Sequence, residues 1–280
     1  MISLEKNVQK LIINGTLINQ PGLFYGKTGI AVFFLHYARQ TGNELFQDYA
    51  IDLIDEIRTE ITSTISVRYD VGLAGIGTGF EYLLQNGFLD AEDSDIFENF
   101  DARMYRAAMY EPYPDLSLQE GLTGWGRYFI YRLRGSGNKK SKLHKALTHI
   151  AREIRQKIVK KTVSENEMPD VYRFFYDLTN LPEYADKYCK SLKQCKKSKN
   201  ICDLDITKTF LYMNELQRLY VCQNYFDMDL SEEIGQEWEK WEKTSNNLLT
   251  EMGLLKGVSY NALLQLTRLN ENNASWFNLL

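Results

Sequence analysis

Four cysteines, three histidines and a few acids are the residues of this 280-residue chain whose types could carry chemistry. Cys189, Cys195, Cys202 and Cys222 have five, six and nineteen residues between them, so no C-x-x-C pair is present to seat a zinc ribbon or a thioredoxin-type disulfide. Reduced, buried thiols are the expectation, and no metal or other cofactor is predicted. The histidines are His36, His144 and His149, with none beyond residue 149. His36 could act as an acid/base, but no second histidine lies near it in sequence. Carboxylate pairs are the remaining route. Glycosidase chemistry needs two acids roughly 5–10 Å apart, and Asp70, Glu81, Glu120 and Asp177 are the acids placed to supply them.

The elements that must position these groups are written in the glycines. Gly26-Lys-Thr-Gly29, Gly72-Leu-Ala-Gly75 and Gly121-Leu-Thr-Gly124 each precede an apolar run of about ten residues, and Gly257-Val-Ser-Tyr260 is a weaker fourth copy. The first three starts are 46 and 49 residues apart. The pattern predicts a tight loop feeding a helix that is apolar all round and therefore buried. Between these runs the apolar residues keep three-to-four spacing, as in Leu143, Leu147, Ile150, Ile154 and Ile158, which predicts amphipathic outer helices. Two further inner helices are expected in the gap before Gly257, at Val171–Leu178 and Ile206–Met213. Only Ile61–Val67 is read as locally extended. The whole chain, 1–280, is thus read as one all-α domain: a double-layered α/α toroid of six helical hairpins.

The segments Gly72-Leu-Ala-Gly-Ile-Gly, Gly121-Leu-Thr-Gly-Trp-Gly and Gly253-Leu-Leu-Lys-Gly-Val-Ser-Tyr resemble the glycine repeats of the lanthionine synthetase C-like (LanC-like) family. The ending Asn273-Ala-Ser-Trp-Phe-Asn-Leu-Leu280 is similar to the family's Ser-Trp-x-x-Leu-Leu tail. The resemblance spans roughly residues 20–135 and 250–280. It implies a helical toroid, and an ancestry among zinc-dependent cyclases that add a peptide cysteine to a dehydroalanine or dehydrobutyrine. The family holds its zinc with two cysteines and a histidine, the latter in a Cys-His-Gly motif. This chain has no Cys-His pair. The family's catalytic aspartate stands four residues before a repeat glycine, where this chain has Arg68 and Ser117, with Asp70 out of register. The family normally has seven hairpins. The resemblance therefore implies a short, divergent, metal-free member.

Convergence of the helix-start loops would bring Tyr25, Tyr69, Asp70, Ser117, Glu120 and Asp203 to one mouth, with Asp70 and Ser117 also suited to cap helices. His36, Tyr82 and Tyr131 each stand seven residues after a second repeat glycine, where they either face a central cavity or pack with one polar partner. Glu81, Arg127 and Asp177 fall on buried helices and must pair or line a wet pocket. Cys202 precedes an expected inner helix but has no histidine near it. No catalytic residue is assigned.

Charge is uneven. Residues 139–161 carry nine Lys/Arg against Glu153 alone, and 187–199 carry six lysines. Residues 90–101 carry six acids and 227–251 eight. These are solvated outer faces or a groove for an acidic peptide. A net charge of −4, and no aromatics interleaved with the basic run, argue against a nucleic-acid partner. The start, Met1–Lys10, lacks a secretory apolar core, and Gly29–Leu35 is too short to span a bilayer. No membrane partner and a cytoplasmic location follow. The leading expectation is a LanC-like pseudoenzyme in lanthipeptide-type peptide maturation, binding a peptide substrate or a partner modification enzyme. The alternative is a working enzyme on the same toroid, either a thioether-forming cyclase or a carbohydrate-active hydrolase. A third reading is a structural subunit whose centre is plugged by aromatics.

Overall fold

Four helix-start loops close on themselves in the same way. In each, the first helical N–H bonds the carbonyl seven residues back: Lys27 to Gln20 (2.8 Å), Leu73 to Ser66 (2.8 Å), Leu122 to Asp115 (3.1 Å) and Val258 to Glu251 (2.9 Å). Where the next position is Thr or Ser, its hydroxyl repeats the reach: Thr28 to Pro21 (2.6 Å), Thr123 to Leu116 (2.8 Å) and Ser259 to Met252 (2.6 Å). Two of a helix's orphan N-terminal donors are thereby satisfied or shielded without a side-chain cap. The loop folds back so closely that a Cβ on Gly26, Gly72 or Gly121 would lie 2.0, 2.2 or 2.3 Å from the carbonyl oxygen six residues earlier. Only glycine permits that approach. The weak fourth copy at Gly257 shares the hydrogen bond, but there a Cβ would meet the backbone of Gly253 instead, at 2.5 Å.

The computed structural model describes residues 4–61, 65–90, 97–136, 141–198, 201, 204–244, 251–269 and 274–280. Among these are twelve α-helices and two short 3-10 turns, with no strand. The helices are α1 (Leu4–Gly15), α2 (Lys27–Thr41), α3 (Glu44–Glu60), α4 (Leu73–Gln85), α5 (Phe97–Tyr110), α6 (Leu122–Ser136), α7 (Ser141–Val159), α8 (Met168–Thr179), α9 (Pro182–Lys196), α10 (Glu215–Tyr225), α11 (Ser231–Thr244) and α12 (Val258–Leu269). None is long and apolar enough to cross a membrane.

The chain divides into two compact units. One comprises residues 1–64 and 211–280, the other residues 65–210. In the second unit α6 packs between α4 and α8, while α5, α7 and α9 lie against this row. α4 is buried at every position from Leu73 to Leu83 and α6 from Leu122 to Leu133, as their apolar runs require. α5 and α7 bury one stripe each, such as Leu143, Leu147, Ile150 and Ile154 of α7. Glycines set the spacing within the row. A Cβ on Gly77 of α4 would meet the Tyr128 ring of α6 at 2.4 Å, and one on Gly126 of α6 would meet the Phe174 ring of α8 at 2.3 Å. In the first unit α12 packs against both α1 and α2, α2 against α3, and α10 against α11 and the 3-10 turn Ser275–Leu279. Trp276 and Leu280 of the tail are fully buried.

Two inner helices start without glycine, and side chains replace it. At α8, the Glu167 carboxylate accepts from Ser164 N and Leu116 N (both 2.9 Å), and Asp170 accepts from Leu118 N (2.9 Å). At α10, Asn214 and Gln217 form a reciprocal capping box, and Gln217 also donates to the Leu255 carbonyl. Each side-chain cap thus ties its helix to the neighbouring glycine loop. The inner helix expected at Val171–Leu178 is α8. The one expected at Ile206–Met213 is displaced: a 3-10 turn covers Ile206–Lys208, Phe210 takes a left-handed φ of 51°, and the helix begins at Glu215. Asn214 is the stronger start signal, because it satisfies backbone donors that Ile206 cannot. Within Ile61–Val67, residues 65–67 are irregular coil, and 62–64 lie outside the described residues.

Glycine substitutions should separate the two kinds of site. Gly26→Ala should destabilise by at least about 3 kcal/mol through overpacking against backbone. Gly235→Ala, on an exposed turn of α11 with nothing near its Cβ, should stabilise by about 1 kcal/mol. Urea denaturation of both variants measures the contrast.

Candidate functional site

The second unit contains a small cleft between α6 and α8, partly open to solvent, whose cavity of about 10 Å³ has room for a single water-sized group. Arg127, Asp170, Arg173 and Asp177 line it together with Thr123 and Phe174. All four charged residues are at most 7% exposed. Charges removed from water this far must be compensated by partners. Asp170 binds Leu118 N and lies 3.9 Å from Arg173 Nη1. Asp177 lies 3.7 Å from Arg134 Nη2. The Arg127 guanidinium faces the rings of Tyr69 and Tyr131, 5.9 Å from each centroid, and Arg173 faces Phe210 at 5.2 Å. Cation–π contact of this kind offsets part of the desolvation of a guanidinium. The cleft thus holds two planar cations on aromatic supports beside two engaged carboxylates. That arrangement suits an anionic or mixed-charge group better than an apolar one.

Loop residues gather beside it. Tyr69 N bonds the Gln119 carbonyl (2.8 Å), which joins the loop before α4 to the loop before α6. Arg68 binds Asp70 through Nε (2.9 Å) and Nη2 (2.5 Å), and Glu120 through Nη2 (2.9 Å). Asp70 also accepts from Val71 N (2.8 Å), so it shapes the turn, while Gly72 holds the N-cap position of α4. Ser117 donates to Asp115 (2.7 Å) and accepts from Glu120 N (3.3 Å). Tyr69, Asp70, Ser117 and Glu120 therefore share one loop cluster. Tyr25 belongs to the first unit, half-buried and edge-on to Phe24 (6.3 Å). Asp203 and Cys202 lie outside the described residues.

Glu81 is held elsewhere. Its carboxylate meets Arg132 Nη1 at 2.6 Å, and Arg132 also binds Asp101 through Nε (3.0 Å) and Nη2 (2.9 Å) while lying 3.8 Å from the Phe97 centroid. Tyr128 donates to Asp101 (2.6 Å). Burial first, and the Asp101 charge second, raise the Tyr128 hydroxyl well above the usual phenol range. This network joins α4, α5 and α6. Tyr82 stacks on Phe88 (6.5 Å), and the Tyr131 carbonyl accepts from Gln85 (2.9 Å), so both are buried with neighbours of their own. His36 is buried in α2, and burial, aided by the Arg39 charge, pulls its imidazole down to about 4.

Of the four acids nominated for a carboxylate pair, Asp70 and Glu120 meet on Arg68, while Glu81 is held by Arg132 and Asp177 lies by Arg134. No group of three His, Cys, Asp or Glu side chains gathers among the described residues, and burial pushes the Cys195 thiol up to about 12, away from the thiolate a metal requires. Asp170, Arg173, Arg132 and Arg68 are the functional or network residues that the sequence did not single out. A charge inside a buried apolar run, the signal that marked Glu81 and Asp177, also marks Arg132 and Arg173. No protein-family model and no curated protein matches this chain.

His36 generates a pH prediction. Its folded value near 4 lies below the unfolded value near 6.5, so the unfolded state takes the proton first as pH falls. The stability present above pH ~6.5 should decline by up to about 3 kcal/mol on the way to pH ~4. His36→Gln should flatten that part of the curve relative to wild type in denaturant titrations at stepped pH.

Proposed function

We propose that this chain is a LanC-like helical toroid that serves peptide maturation by holding a peptide substrate, or the enzyme that modifies it, without performing zinc-dependent thioether cyclisation itself. The observation that carries the reading is the buried charged cleft between α6 and α8. Arg127 and Arg173 would receive a carboxylate of the peptide there, from an acidic side chain or a chain terminus, through planar bidentate hydrogen bonds. Ring closure of the six hairpins is supported by the helix pairing inside each unit, above all by the packing of the last helix, α12, on the first two. The pairing of each nominated acid with an arginine supports a binding role.

The test uses the full chain. Selection from a random library of short linear peptides should enrich sequences bearing a carboxylate at a fixed position, and Arg127→Gln combined with Arg173→Gln should weaken the winners about tenfold or more. One stoichiometric zinc in the purified protein would overturn the reading. So would thioether formation from a synthetic peptide carrying one dehydroalanine and one cysteine.

A further inference from the structure

The outer helices α7 and α9 meet through a few side chains. Tyr184 of α9 bonds His144 Nδ1 (2.8 Å) and stacks on its ring at 5.8 Å. One turn further along α9, the buried ring of Tyr188 feels the charges of Arg155 and Arg152, both further along α7. Tyr184 stacks on Tyr188 (6.1 Å), and Lys187 lies 5.3 Å from the Tyr188 centroid. This aromatic seam fixes the two helices against each other and turns their charged residues outward.

Those residues are almost all of one sign. Residues 141–161 and 182–197 supply twelve Lys/Arg and three acids, Glu153, Glu183 and Asp186. Lys142, Lys145, Arg152, Arg155, Lys160 and Lys161 of the first stretch are exposed, and so are all five lysines of the second. Basic residues in a last turn complement the helix dipole, but one or two suffice for that. Here the C-terminal halves, from Arg152 and from Lys187 onward, share a single acid, Glu153. Lys161 adds a second sign. It occupies the left-handed position that ends α7, φ 57°, with Thr162 N bonding the Lys157 carbonyl (3.0 Å) and Lys161 N the Ile158 carbonyl (3.0 Å). Glycine is the favoured residue at that point of this helix ending, and a lysine there gives up stability.

We propose that the α7/α9 face is a docking surface for an acidic, extended peptide segment. The two stretches carry a net +9 while the chain as a whole carries −4, so the remainder stands at −13. A long polyanion such as nucleic acid would be repelled beyond the patch, whereas a short acidic segment touches only the patch. The nineteen residues of α7 make it about 28 Å long, which an extended segment of about eight residues spans. The aromatic side chains of this face, Tyr184 and Tyr188, are buried in the seam and offer no platform for base stacking. The surface deepens the peptide-binding reading by naming an acid-rich segment outside the cleft, and it rests on that reading only for its biological context.

A fluorescent peptide of about twelve residues rich in Glu, titrated into the full chain, tests it. Binding should weaken about tenfold between roughly 50 and 200 mM salt, and by a similar factor in the triple variant Lys160→Glu, Lys193→Glu, Lys196→Glu. Lys161→Gly should melt no lower than wild type and still bind about two- to threefold more weakly, which separates charge loss from misfolding. The triple variant reads this surface and Arg127→Gln with Arg173→Gln reads the cleft, so failure of the cleft reading and failure of this one are distinguishable. Unchanged affinity in a folded triple variant would overturn the proposal. Tighter binding of an oligothymidylate of equal charge would overturn it in favour of a nucleic acid.

Discussion

One backbone hydrogen bond, from the first helical N–H to the carbonyl seven residues before it, organises the molecule. It is made at α2, α4, α6 and α12, and it requires a residue with no Cβ at the helix N-cap. The consequence is that each inner helix begins at the end of a compact loop, with its first turn pressed against its own approach segment. Neighbouring loops then bond one another, as Tyr69 does Gln119 and Leu255 does Phe24. α8 and α10 join the same arrangement through Asp170 and Gln217. Backbone geometry, rather than side-chain chemistry, thus decides where the polar ends of the inner helices lie.

That constraint makes burial of charge both possible and costly. Inner helices that are apolar all round leave no wet face for Arg127, Arg132, Asp170 or Arg173. The chain meets the cost in two ways. Arg132 takes two carboxylates and an aromatic face, giving a closed network that pins three helices. Arg127 and Arg173 stand on aromatic rings at a cleft that reaches solvent. The first arrangement is complete in itself and reads as structure. The second lies at a space that opens to solvent, which is why the functional reading attaches to it.

The glycine spacing made the inner helices α2, α4, α6 and α12 legible, because the loop they share leaves a direct mark on residue type. α8 was legible from its apolar run, even though Glu167 and Asp170 do the work of the glycines. α10 was not placed correctly, since Ile206–Met213 looks as apolar as a helix while the decisive features are the Asn214–Gln217 box and the left-handed Phe210. Glu81, Arg127 and Asp177 were visible as charges in apolar runs. Their partners were not: Glu81 and Arg132 are 51 residues apart, and nothing local links them. Arg68 was noted only as an interruption of a family position, whereas its reach to both Asp70 and Glu120 depends on two loops meeting.

The paired contacts of Gly77 with Tyr128 and Gly126 with Phe174 have a directional sense. α6 offers a socket at Gly126 on one flank, filled by Phe174 of α8, and the Tyr128 ring on the other, which fills the Gly77 socket of α4. Any side chain added at either glycine would force two neighbouring helices apart, so the spacing of the whole row rests on two missing methyl groups.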